Sequence, residues 1–220
     1  WAAVASLAVV LASALSLAAT WLGWAAPNRT ITVALHLVFA PFGFMGLLAL
    51  GLSYILVPMF ALADSPRERD QLASCGLAVA GLLLAGSAVF GVAPVPLRVA
   101  GIGLGALAAA LHLRTMRRAL RSGMRQELGR SFVLVKIGWA GLAASLVLAL
   151  ALALEWPVPR LRAWFGLAVI GVWLLSFLLG MLQRILPFLA AMHAAGAGRR
   201  APTPSSLTHD RALAIHIWCH

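Results

Sequence analysis

The stretch HLVFAPFGFMGLLALGLSYILVPMF, His36 to Phe60, carries no charged residue, yet it opens on an imidazole and ends two residues after a proline. At about 1.5 Å per helical residue it is longer than a hydrocarbon core of roughly 30 Å, so it reads as most of a membrane-crossing helix. The same pattern recurs on either side of it. Apolar residues fill 62% of the 220 positions and charged residues 10%, against about half and a quarter in a soluble domain. The charges fall between apolar blocks. Those blocks predict an all-α, polytopic transmembrane helix bundle with six complete spans, at roughly 3–25, 31–62, 72–93, 97–115, 132–155 and 164–192.

A seventh span is expected to begin near Arg211. The chain opens at Trp1 without a methionine and stops at His220, just after the amphipathic opening RALAIHIWCH, so it reads as a fragment of a longer protein. The first span is apolar and rich in small residues, but no charged region precedes it, so it reads as an ordinary membrane helix rather than a signal peptide. The linkers APNRT and EWPVPR leave no room for a soluble domain. Residues 1–220 are therefore expected to form a single integral membrane domain.

The formal charge of +11 would suit a nucleic-acid surface if the cations were clustered for one, but they sort by loop. RTMRRALRSGMRQELGR supplies Arg114, Arg117, Arg118, Arg121, Arg125 and Arg130. Arg67, Arg69, Arg199, Arg200 and Arg211 lie in loops on the same side of the bundle, whereas the alternate loops hold only Arg29, Arg98, Arg160 and Arg162. The positive-inside rule then puts the richer side in the cytoplasm, as in a bacterial inner membrane. No nucleic acid is expected as a partner. The bilayer is, and the basic loop after the fourth span could also dock anionic headgroups. Cys75 and Cys219 both fall near cytoplasmic span ends, outside any CxxC or CxxCH motif, and read as small apolar filler rather than as a disulfide.

A weak internal repeat is visible. Gly51 and Pro58 in the second span match Gly180 and Pro187 in the sixth at an offset of 129 residues, which also aligns Leu50 with Leu179 and Ala61 with Ala190. Such an offset predicts a parallel four-helix repeat, with units 1–128 and an incomplete 129–220. Small residues and prolines are common in membrane helices, so the match has an ordinary structural reading too.

Ionisable residues inside spans are functional candidates unless they lie near enough to an interface to snorkel. His112, His193 and His209 are expected at the cytoplasmic interface, and Lys136 reaches it easily. Glu155 sits at the outer boundary. Arg184 and Gln183 are deeper in the sixth span. His216 and His220 are spaced i, i+4 on one face of the incipient seventh helix and could hold a metal. His36 differs from all of these. It lies one to two turns below the outer surface, and its counterpart in the repeat is Phe165, so the helix architecture does not itself require an imidazole there.

The opening stretch resembles the second transmembrane helix of the catalytic subunit of haem-copper oxidases and the related nitric oxide reductases. His36, Gly43, Gly46, Gly51, Tyr54 and Pro58 are the matching positions, with GFMG and SYILVP the most similar pieces. The resemblance implies that His36 is an axial ligand of a low-spin haem and that Gly43 and Gly46 let the macrocycle lie against the helix. It also implies that the second axial ligand comes from a later helix. Imidazole suits iron because one ring nitrogen ligates while the other donates to a group that fixes the tautomer.

The departures bear on copper. The family places a copper-ligating His in the sixth helix, but WFGLAVIGVWLLSFLLGMLQRILPF has none, and His216 and His220 are on the wrong side with the wrong spacing. A copper centre is therefore not expected in this segment. The first reading is an integral membrane haem-binding protein serving electron transfer, haem handling or gas sensing, with an electron donor or other membrane subunits as partners. The second is a polytopic transporter whose substrate meets Arg184, Gln183 or Ser176. The third is a structural subunit in which His36 merely hydrogen-bonds between helices.

Overall fold

The computed structural model describes residues 1–24, 28–91, 93–124, 128–196, 207 and 210–219. Among them there is no strand. Six helices are long and apolar enough to cross a membrane: Ala2–Trp21, Arg29–Ala61, Glu68–Phe90, Pro94–Ser122, Ser131–Ala153 and Leu161–Ala194. They are called the first to sixth spans below. A shorter helix, Asp210–Cys219, follows near the expected start of a seventh.

Each expected span falls on one of these helices. The largest difference is in the fourth, which continues through Arg114, Arg117, Arg118 and Arg121 to Ser122. Arginine, leucine, alanine and methionine are all good helix formers. The arginines must leave the hydrocarbon, but they need not leave the helix. At the other end of the bundle the second span begins on a side-chain cap, with Asn28 Oδ1 accepting from the backbone N–H of Thr30 at 2.9 Å and of Ile31 at 3.4 Å.

The second and sixth spans each contain a π-helical stretch, Phe39–Gly46 and Leu167–Leu175, in which hydrogen bonds reach five residues back. Pro41 has no N–H to give to the helical ladder, which supplies a local reason for the first stretch. Beyond the second, Ser176 Oγ donates to Gly171 O, five residues back, at 3.4 Å. The stretches end at Gly46 and Leu175, which are 129 residues apart, as are Pro58 and Pro187.

The second span touches the first, third, fourth and sixth, and contacts between the third and fourth, fourth and fifth, and fifth and sixth complete a ring. Spans two to six thus close around an interior, and the first lies outside it against the second. Small residues allow the close approach this needs. A Cβ on Gly141 would stand 2.6 Å from the backbone nitrogen of Trp173, so the fifth and sixth spans meet nearly backbone to backbone there.

The two ends of the ring differ. The basic end, where the second, fourth and sixth spans finish, is filled by Tyr54, Val57, Met116, Phe132, Val135, Trp139, Phe177 and Met181. On the same end an ion pair, Arg118 to Asp70 at 3.9 Å, bridges the fourth and third spans. Arg125, Arg199 and Arg200 lie outside the described residues. Toward the opposite end the ring is hollow.

Candidate functional site

His36 lies about two turns into the second span, on the side facing the first. Its Nδ1 is 3.0 Å from Ser13 Oγ, and the same hydroxyl is 2.9 Å from Val10 O. A carbonyl can only accept, so Ser13 uses its one proton there, and both contacts are hydrogen bonds when His36 Nδ1–H donates to Ser13. That tautomer leaves Nε2 with its lone pair, the form in which a neutral imidazole binds a metal. A side-chain hydrogen bond across two helices thus sets the chemistry of the ring.

Gly43 and Gly46 continue the same helix, and protein fills the gaps they leave. A Cβ on Gly43 would meet Ser6 Oγ at 2.8 Å and Leu82 at 3.1 Å, and one on Gly46 would meet Pro41 O and Trp173, each at 3.0 Å. Phe165, the repeat counterpart of His36, lies against Phe42 with ring centroids 6.2 Å apart, and Trp173 approaches Phe42 to 5.3 Å. The two π stretches therefore meet through aromatic and glycine surfaces.

The hollow half of the ring is a cavity of about 1080 Å³, lined by spans two to six. Its walls are apolar, with Val33, Leu37, Leu82, Leu146, Phe165 and Trp173 among them. Arg29, Arg98 and Arg162 line it at the end away from the basic loops, and His112, Ser53 and Trp139 line its floor. His36 is not among the lining residues; it faces the other side of its helix.

His112 is where the structure departs most from the interfacial position expected for it. It is only 3% exposed. Tyr54 meets it edge-on at 5.1 Å between centroids, Trp139 does so at 6.3 Å, and its Nδ1 is buried with no hydrogen-bond partner among the described residues. Tyr54 in turn is hydrogen-bonded through its hydroxyl to Ser74 of the third span. Hydropathy gives a residue's depth along a helix but not the direction it faces, which is why His112 read as an interfacial residue. The one available signal was its spacing from Ala108, Ala109 and Gly105, which form a stripe of small residues on the same face.

The other candidates are scattered. Arg184 Nε donates to Ser131 Oγ at 2.7 Å, and the guanidinium sits 5.8 Å from the Phe132 ring centre, joining the sixth span to the start of the fifth. Arg184, Gln183 and Ser176 do not line the cavity. His193 and Lys136 are exposed, as is Glu155. His216 falls in the helix Asp210–Cys219, while His209 and His220 lie outside the described residues. Cys75 packs against the basic-end cluster and Cys219 is exposed. Among the described residues no three His, Cys, Asp or Glu side chains gather as a metal site.

No family model matches the chain, and neither does any curated protein or any solved structure.

Proposed function

We propose that this integral membrane protein holds a haem through His36 and serves electron transfer, haem handling or gas sensing. The observation that supports the reading is the Ser13 hydrogen bond, which keeps the Nδ1 proton on the ring and the Nε2 lone pair available for iron. Haem would supply a redox-active or gas-binding iron in the bilayer. The protein's part is to orient the imidazole and fix its tautomer. The second axial ligand is assigned to a helix beyond the six spans, and an electron donor or further membrane subunit would complete the system. No copper centre is proposed, because the body of the sixth span holds no histidine. The macrocycle is not proposed to rest on Gly43 or Gly46, whose gaps Ser6 and Trp173 fill.

The test is the visible spectrum of the full-length protein, purified in detergent after haem-replete expression, oxidised and reduced. A Soret band that disappears in His36→Ala is the expected result. In Ser13→Ala haem affinity should fall by about 10-fold or more, the usual cost of losing the hydrogen bond that orients a metal-binding histidine. A wild-type protein without a Soret band, or a band indifferent to His36→Ala, rejects the proposal. If His36 only ties the first span to the second, both substitutions lower stability equally and neither has a spectral effect. A transporter built on Arg184, Gln183 and Ser176 draws no support from the cavity, since none of them lines it.

A further inference from the structure

The cavity has two chemically distinct ends joined by a long apolar wall. Arg29 and Arg162 come from the first turns of the second and sixth spans and Arg98 from the start of the second turn of the fourth, and all three line the same space. Each is placed where the helix dipole is already positive, so the helices add to their charge instead of offsetting it. Arg98 Nε is bonded to Pro94 O of its own helix at 3.1 Å, and the ion pair found among the described residues, Arg118 with Asp70, lies at the other end of the bundle. Three cations around one apolar opening, with no carboxylate among the described residues that line it, form an anion-attracting mouth.

From Arg98 to His112 the fourth span lines the cavity over fourteen residues, or about 21 Å at 1.5 Å per residue. That is the reach of a hydrocarbon tail, and it is too long for a compact ion. Along it the lining includes small residues, Gly101, Gly105 and Ala108, and large apolar ones, Leu82, Leu146 and Trp173. At the floor His112 is almost wholly buried with one ring nitrogen unpartnered.

We infer that the cavity binds one amphipathic anion, its phosphate or carboxylate head held at Arg29, Arg98 and Arg162 and its hydrocarbon tail lying between the spans toward His112. His36 lies outside this space, so the site is independent of haem binding. The head and the tail are recognised by different residues. Removing either set weakens binding, and neither part of the ligand alone reproduces it.

Native mass spectrometry of the full-length protein in detergent tests this with defined probes: palmitate, phosphatidylglycerol, phosphatidylcholine and inorganic phosphate. Retention of palmitate or phosphatidylglycerol, with phosphatidylcholine excluded, is expected; which of the two is kept identifies a carboxylate or a phosphate head. The double substitution Arg98→Gln, Arg162→Gln should weaken retention by about tenfold or more, since each charge-assisted bond is worth roughly that factor. Ala149→Trp, on the cavity wall, tests the tail separately and leaves the arginines in place. Equal retention of phosphatidylcholine overturns the head assignment. Displacement of bound lipid by inorganic phosphate overturns the tail assignment, and binding unchanged in both variants overturns the site. A band-free visible spectrum with intact lipid retention would reject haem at His36 and leave this inference standing.

Discussion

Gly81 and Gly101 face each other so closely that a Cβ on Gly81 would stand 2.6 Å from Gly101 O, and one on Gly101 would stand 2.7 Å from Gly81 O. The third and fourth spans therefore touch backbone to backbone, without side chains between them. In lipid, where apolar surface gains nothing by leaving the solvent, such close approach is a main source of attraction between helices.

Gly101→Val is expected to push the two spans apart at a point where backbone, and no flexible side chain, must yield. The cost should reach or exceed the ~1–3 kcal/mol typical of overpacked cores. Thermal unfolding in detergent measures it. Gly103→Val makes the control, because nothing stands within 4 Å of a Cβ built there. If the two variants unfold alike, the glycine contact is not what holds this pair together.

His112→Phe is expected to stabilise the ligand-free protein. Phenylalanine keeps an aromatic ring beside Tyr54 and Trp139 and removes a buried nitrogen whose missing partner costs about 1–3 kcal/mol. A higher unfolding temperature in detergent is the expected outcome. A lower one would mean that the imidazole has a partner in the folded protein, and His112→Asn would then retain part of the stability.

Arg184→Ala should destabilise the fifth and sixth spans by about 1–3 kcal/mol, because it removes a hydrogen bond from a charged donor and leaves buried Ser131 without it. Arg184→Lys should recover only part, since an ammonium lacks the planar Nε–H geometry. Unfolding temperatures of the three proteins order the effect as wild type, then Lys, then Ala. Equal stability of the Lys and Ala variants would count against the Ser131 bond as its source.

The arginine distribution predicts that the basic end is cytoplasmic. With Cys75 and Cys219 changed to serine, Met124→Cys should resist a membrane-impermeant maleimide in intact cells, while Trp156→Cys should react; both positions are exposed. The reverse pattern would invert the topology and turn the arginine-lined mouth toward the cytoplasm.

The spans were legible in the sequence because crossing hydrocarbon is a local requirement, met by about twenty apolar residues in a row. What faces what was less legible. His36 stood out as a polar residue in an apolar run, but nothing local paired it with Ser13. Arg184 suggested a substrate contact, whereas its hydroxyl partner at Ser131 is more than fifty positions earlier. The cavity draws its lining from five spans, so no window of sequence contains it. The helical run past Arg114 was hidden by its charges, which mark the membrane boundary and not the end of the helix. Pro41 gave a visible reason for one π stretch, but Leu167–Leu175 contains no proline.

Those π stretches have a consequence for any positional scan of this chain. A helix whose bonds reach five residues back turns less per residue than an α-helix with 3.6 residues per turn. A helical wheel drawn straight from Arg29 to Ala61 therefore loses phase across Phe39–Gly46. Residues beyond it, Ser53, Tyr54 and Val57 among them, are rotated from the positions such a wheel gives them, and substitution patterns there must be read in two registers, one on each side of the wide turn.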